Sequence, residues 1–169
     1  MPGPFLAGQR LTAGQLNDAI QKTLTSVEVG VAGALAGGIG ATEVNIPKLA
    51  LGPVALVAGG LYHFDARVTL QQTVASDGFM MRLRRDTALT GTVVSEWLIY
   101  PVVGTSGNVF FAWDDFISTI AEPAVNYFVS FKRDAGTGTL SVFGQFSGAN
   151  RAGVAIRRTG YSSEFVVVT

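Results

Sequence analysis

Over residues 60–73 the chain alternates strictly. Tyr62, Phe64, Ala66, Val68 and Leu70 are apolar, and His63, Asp65, Arg67, Thr69 and Gln71 between them are polar. A two-residue period places these sets on opposite faces of a strand, so one face packs and the other is polar, as in an antiparallel sheet. Tyr127, Val129 and Phe131 alternate likewise before Lys132-Arg133-Asp134. Gly136 and Gly138 then supply a turn, and Leu140, Val142, Gly144 and Phe146 continue beyond it. Residues 124–146 are therefore expected to form a hairpin. Further strands are expected near 42–46, 49–57, 79–86, 93–103, 108–114 and 153–159. About nine strands in about 130 residues is the size of a two-sheet sandwich or jelly roll.

The period differs at the N-terminal end. Leu16, Ala19, Ile20 and Leu24 follow at i, i+3, i+4 and i+8, with Asn17, Asp18 and Lys22 off that stripe. Thr12 and Gln15 have the spacing of a capping box, so a short amphipathic helix is expected over 12–24. A helix this short is marginal alone in water and needs a surface to lie on. The chain thus divides into an N-terminal arm and helix (1–24), a glycine-rich linker or edge strand (25–41) and an all-β domain (42–169). The closing run Phe165-Val-Val-Val-Thr169 is apolar and is expected to join a sheet or a neighbouring subunit.

Composition narrows the function. The chain has 169 residues, 48% of them hydrophobic and only 14% charged, so it folds rather than forming a disordered tail. Lys+Arg and Asp+Glu both total 12, giving no net charge to hold nucleic acid or an anionic membrane. A neutral, apolar chain is poorly protected against self-association, and an oligomer is expected. No cysteine is present, which excludes disulfides and thiolate metal sites. The first ten residues lack a basic region followed by an apolar one, so no secretory leader is expected there. The uncharged stretch over 29–42 carries glycines and is too short for a membrane span of ~20 apolar residues.

Candidate chemistry is sparse. His63 is the single histidine; with Asp65 it shares the polar face of one strand, which is read as a solvated or hydrogen-bonded surface pair rather than part of a metal site completed by other subunits. No serine lies in a G-x-S-x-G elbow, so no hydrolytic triad is expected. Asp114, Asp115 and Glu122 are read as acidic residues of a loop flanking Phe116 and Ile117, not as a glycosidase pair. Gly37-Gly-Ile-Gly40 lacks the Lys-Ser/Thr of a phosphate loop and is read as linker. Arg82, Arg84 and Arg85, with Arg151, Arg157 and Arg158, are expected in ion pairs or subunit contacts rather than on nucleic acid. No catalytic residue, metal or cofactor is expected.

Two stretches carry resemblances. Residues 5–17, Phe-Leu-Ala-Gly-Gln-Arg-Leu-Thr-Ala-Gly-Gln-Leu-Asn, resemble the opening of many tail and virion appendage proteins of phages infecting actinobacteria. Residues 42–162 resemble the TNF-like jelly roll shared with the complement globular heads. This second likeness rests on Gly59-Gly60-Leu-Tyr62-His-Phe64, on the K-R-x-x-G-x-G-T-L turn within 127–140, and on Ile156-Arg157-Arg158-Thr-Gly160. It implies an antiparallel jelly-roll sandwich packed as a homotrimer around an aromatic-lined axis, with Tyr62, Phe64, Tyr127 and Phe131 in the core or on that axis. No calcium-ligand cluster is present to carry over.

Together these imply a non-enzymatic virion structural protein, assembled in the host cytoplasm. It is expected to be a capsid decoration protein or short head fibre docked on the major capsid protein through Phe5, Leu6, Leu11, Leu16, Ile20 and Leu24 of the arm. The alternative is a small tail or baseplate appendage. The rival class is a glycan-binding module, which an exposed Trp97 or Trp113 would favour; both sit in apolar runs and are assigned to the core.

Overall fold

The computed structural model describes residues 22–29, 33–101, 108–146 and 150–161. These form β1 (Lys22–Val29), β2 (Gly33–Ile39), β3 (Val44–Asn45), β4 (Leu51–Leu56), β5 (Gly60–Gln72), β6 (Gly78–Arg85), β7 (Val93–Ile99), β8 (Asn108–Ile117), β9 (Glu122–Ala135), β10 (Leu140–Phe146) and β11 (Asn150–Tyr161). A single 3₁₀ turn, Pro47–Leu49, joins β3 to β4.

Every ladder is antiparallel, and several strands lie end to end in one row. β10 runs beside residues 69–72 of β5 and β11 beside residues 60–67. β2 and β1 lie in turn along β10 and β11, and β3 and β4 both lie along β9. Counting each of these pairs as one row leaves eight rows. In chain order, the first sheet reads 1-8-3-6 and the second 2-7-4-5. The chain changes sheet between successive rows except at β6–β7. This interleaving of two Greek keys is the jelly roll expected from the sequence.

The core lies between the two sheets and is built by the alternation. Tyr62, Phe64, Ala66, Val68 and Leu70 of β5 are all at most 2% exposed, as are Phe79, Met81 and Leu83 of β6 and Val125, Tyr127, Val129 and Phe131 of β9. Aromatic rings connect the layers. Phe64 stacks on Trp97 of the opposite sheet at 5.6 Å, and Phe116 lies between Tyr62 (5.5 Å) and Tyr127 (5.8 Å). The Tyr62 hydroxyl accepts the Val57 N–H at 2.7 Å, and burial pushes the Tyr127 phenol above its ordinary range.

Of the two places expected for Tyr62, Phe64, Tyr127 and Phe131, core or trimer axis, the structure puts all four in the core. Two expectations are corrected. Leu24 belongs to β1, where it packs against the core, and is not on a helix or free to anchor the chain to a particle. The span 25–41 supplies most of β1 and all of β2, the edge row of the first sheet, which is the edge-strand alternative; the boundary expected at 42 is corrected, because the β domain reaches back at least to Lys22. The remaining helix and arm residues, Phe5, Leu6, Leu11, Leu16 and Ile20, lie outside the described residues, as does the run 165–169.

The span 124–146 is not a hairpin either. Both edges of β9 are taken within the second sheet, by β6 on one side and by β3 and β4 on the other, so β10 crosses to pair with β5 and β2. The crossing is held by Asp77, a buried carboxylate that accepts the N–H of Thr137 at 3.0 Å and that of Gly138. Gly136 has φ +94°, and a Cβ there would lie 1.9 Å from Asp77 Oδ1, which excludes any side chain.

Gly136→Ala and Asp77→Ala should therefore each destabilise the fold by about 1–3 kcal/mol, through strain and steric collision in the first and unsatisfied turn N–H groups in the second. Thermal melts should show each falling by roughly 2–4 °C per kcal/mol. The double variant should lose less than the sum, because both changes remove one shared contact.

Candidate functional site

The outer face of the first sheet carries an open trough of about 740 Å³. Strand register arranges its lining in lines across the sheet. One line reads Glu28, Gly153, Arg67 and Phe111, and the next Ser26, Ala155, Asp65 and Trp113; a third sets Arg157, His63 and Asp115 side by side. β11 thus contributes only Gly153 and Ala155 at the first two levels. The floor is bare there because the strand between two fuller neighbours has almost no side chains. At about 4.8 Å per strand, the distance from β1 to β8 is about 14 Å.

Polar groups of the trough are paired across strands. His63 Nδ1 lies 2.8 Å from Asp115 Oδ1; with its proton there, the imidazole presents Nε2 as an acceptor. Arg157 lies 3.1 Å from Asp65 Oδ2, off the hydrogen-bonding direction, so that shielded oxygen receives no donor from the protein. Arg67 lies 3.5 Å from Glu28 and donates from Nε to the Arg151 carbonyl at 2.7 Å. His63 and Asp65 therefore share a polar face, as read from the sequence, but each pairs with a neighbouring strand.

One wall is aromatic. Trp113 is 65% exposed and Phe111 67%, and the indole lies nearly parallel to His63 at 6.3 Å, with 22° between planes. Trp97 is packed against the core as expected, but the assignment of Trp113 to the core is corrected. In β8 both phases are largely apolar: Phe110, Ala112 and Phe116 against Val109, Phe111, Trp113 and Ile117. Alternation could not select the inner face. Asp114 and Asp115 are on this strand rather than in a loop, and with Glu122 they hold separate partners, Ser95, His63 and Arg85.

A second apolar region lies on the flank where β7 and β8, edge strands of the two sheets, face each other. Side chains bridge them: Ser95 donates to Asp114, and Trp97 Nε1 donates to the Trp113 carbonyl at 3.3 Å. Leu98 and Tyr100 stand exposed toward one end of this flank, and Ile117 and Ile120 toward the other.

The densest charge cluster lies on the outer face of the second sheet. Glu43 accepts from Arg84 at 2.7 and 2.8 Å, from Arg82 at 2.8 Å, and from the Ser130 hydroxyl; Arg82 also donates to Glu96 at 2.5 Å. Burial alone would raise the Glu43 carboxyl, but the hydrogen bonds from Arg84, Ser130 and Arg82 outweigh it and hold the group at about 2, against an ordinary 4.5. A carboxylate held so low is an acceptor at neutral pH and has no proton to give. Its role is to fasten the start of β3 to β6 and β9. Arg85 pairs with Glu122 at 2.6 Å, so of the arginines expected in ion pairs or subunit contacts Arg82, Arg84, Arg85 and Arg157 are in ion pairs, and those of 82–85 and 151–158 lie on opposite sheets. Gly37-Gly-Ile-Gly40 falls on and just after β2. Among the described residues no cluster of His, Asp and Glu is arranged to hold a metal, and no helix is long and apolar enough to cross a membrane.

The row order defines the class, an eight-row antiparallel jelly roll. No family model and no curated protein sequence matches the chain. Solved structures are similar in fold. The VP2 subviral particle of infectious bursal disease virus is 10% identical, with 78% of this chain and 36% of that one covered and a TM-score of 0.43. The Gt strain of the same virus is 10% identical over 96% of this chain and 43% of that one, with a TM-score of 0.46. A family 16 carbohydrate-binding module is 13% identical over 78% and 85%, with a TM-score of 0.34. The chain spans less than half the length of those viral chains, and no residue role passes from any of these proteins to this one.

The Glu43 cluster makes stability depend on acid. The folded pKa lies below the ordinary value, so the stabilisation is complete above about pH 4.5 and lost as pH falls towards about 2. With its side chain 16% exposed, solvent screening leaves roughly 2 kcal/mol at stake. Unfolding free energies from urea titration of the native protein and Glu43→Gln should differ by that amount at neutral pH and converge as pH falls through this window. A difference independent of pH would overturn the assignment.

Proposed function

We propose that this protein is a non-enzymatic structural component of a phage particle, homotrimeric, and docked on the major capsid protein by the segment preceding β1. The observation that carries this reading is the β7–β8 flank. There the open edges of both sheets coincide with exposed Leu98, Tyr100, Ile117 and Ile120, a combination that a solitary domain has reason to avoid. Two identical flanks, or three in a ring, would cover these apolar side chains. A three-fold assembly matches the local three-fold positions of a capsid without symmetry mismatch. The likeness of residues 5–17 to phage appendage openings supports attachment through the arm. It supports equally the second reading, a tail or baseplate appendage, since such openings occur there too.

Light scattering and sedimentation at micromolar concentration should report a trimer that changes little with salt, because apolar burial and not charge steering drives it. Leu98→Asp combined with Ile120→Asp should give a monomer with a near-native melting temperature, since exposed positions tolerate substitution within about 0.5 kcal/mol. A monomeric native protein would overturn the assembly reading. Removing residues 1–21 should leave the trimer intact and abolish its incorporation into particles. Labelling of intact particles then distinguishes head from tail.

A further inference from the structure

We propose that the trough on the outer face of the first sheet is a binding site for a neutral oligosaccharide. Trp113 and Phe111 form its stacking wall, and His63, Asp65, Glu28 and Arg67 its hydrogen-bonding groups. The site is separate from the β7–β8 flank in its chemistry: the flank is apolar, whereas the trough sets two exposed aromatic rings beside a line of paired charges.

Several observations converge on this ligand. A sugar ring has an apolar face of C–H bonds and a rim of hydroxyls, and the trough offers the complement of each. The indole of Trp113 is largely exposed, and its orientation is set by the imidazole alongside it. An open aromatic face of this kind loses water favourably against an apolar ring face. Facing the wall, the floor at Gly153 and Ala155 carries no side chain beyond a methyl group, so a ring can lie close to the sheet. The trough volume is within the range of small-molecule sites and suits a short oligosaccharide.

Charge selects against the obvious rivals. Arg67 faces Glu28 and His63 faces Asp115, and Arg157 beside them faces Asp65, so neither basic side chain lining the trough is left without an acidic partner for a phosphate, sulfate or uronate to replace. Each carboxylate can still accept from ligand hydroxyls, because two oxygens offer more lone pairs than one cation uses. Asp65 stands in the middle line of the trough with its side chain 37% exposed, which leaves the carboxylate open to a ligand hydroxyl there. Charge-assisted bonds from hydroxyls to such carboxylates are short and directional, and so supply selectivity for hydroxyl stereochemistry. A protein surface, by contrast, would leave these paired groups desolvated without hydroxyls to satisfy them.

The test uses the full-length protein in its native assembly. Isothermal titration is run against maltohexaose, cellohexaose, mannohexaose, galactohexaose and chitohexaose, with heparin as the sulfated control. At least one neutral hexamer should bind and heparin should not. Trp113→Ala should weaken that binding by at least about tenfold with the melting temperature unchanged, because the ring is exposed. Asp65→Asn should also weaken it and alter the ranking among the hexamers. Failure of every neutral hexamer to bind, binding unaffected by Trp113→Ala, or preference for heparin would each overturn the proposal. So would a loss of trimer in Trp113→Ala, which would make the trough a contact between copies. A monomeric Leu98→Asp/Ile120→Asp variant that still binds the hexamer would separate the two surfaces.

Discussion

Tyr62, Phe64, Val68 and Leu70 fill the middle of the sandwich, and their burial dictates the register of β5, the only strand flanked by β8 on one side and by both β10 and β11 on the other. A slip of one residue would turn His63, Asp65 and Arg67 into the core and bury three polar groups without partners. That penalty is larger than the stability margin of a domain. Once β5 is held, β8, β10 and β11 take their positions from it, and β1 and β2 take theirs from β10 and β11. The trough is a consequence, because the same register brings Asp65 level with Trp113 and Ala155.

The outer faces of the two sheets solve the problem of charge in different ways. On the second sheet, Glu43 collects two guanidiniums and a hydroxyl in a compact, half-buried cluster that ties three strands together. On the first, His63, Arg67 and Arg157 each face one carboxylate on a neighbouring strand and keep contact with solvent. Interactions of the first kind are structural. Those of the second kind are weak individually, and leave acceptors and donors exchangeable with a ligand.

The proposed assembly and recognition surfaces adjoin along one edge strand. The β8 backbone edge and Ile117 belong to the flank, while Phe111 and Trp113 project over the neighbouring sheet face. In a trimer joined by its flanks, three troughs would be presented together. Multiple weak sites held at fixed spacing raise avidity without any new contact, which suits a particle that meets a surface of repeated saccharides.

The two-residue periods of β5 and β9 were legible in the sequence because those strands have one apolar and one polar face; the period put Tyr62, Phe64, Tyr127 and Phe131 on the apolar faces, and only the packed sandwich decided that those faces are core. The all-β class and most strand positions were legible too. The pairing of strands was not legible: the glycines after β9 announce a turn, but only the occupied edges of β9 and the carboxylate of Asp77 send β10 to the other sheet. The first row was legible only in part: 25–41 reads as a linker or an edge strand, while a stripe ending at Leu24 fits a helical period, and the free edge of β11 takes up 22–29 as a strand. The trough was hidden for the same reason as the exposure of Trp113. β8 is apolar in both phases, so its facing is decided by which phase finds a partner across the sandwich, and that is a property of the packed fold.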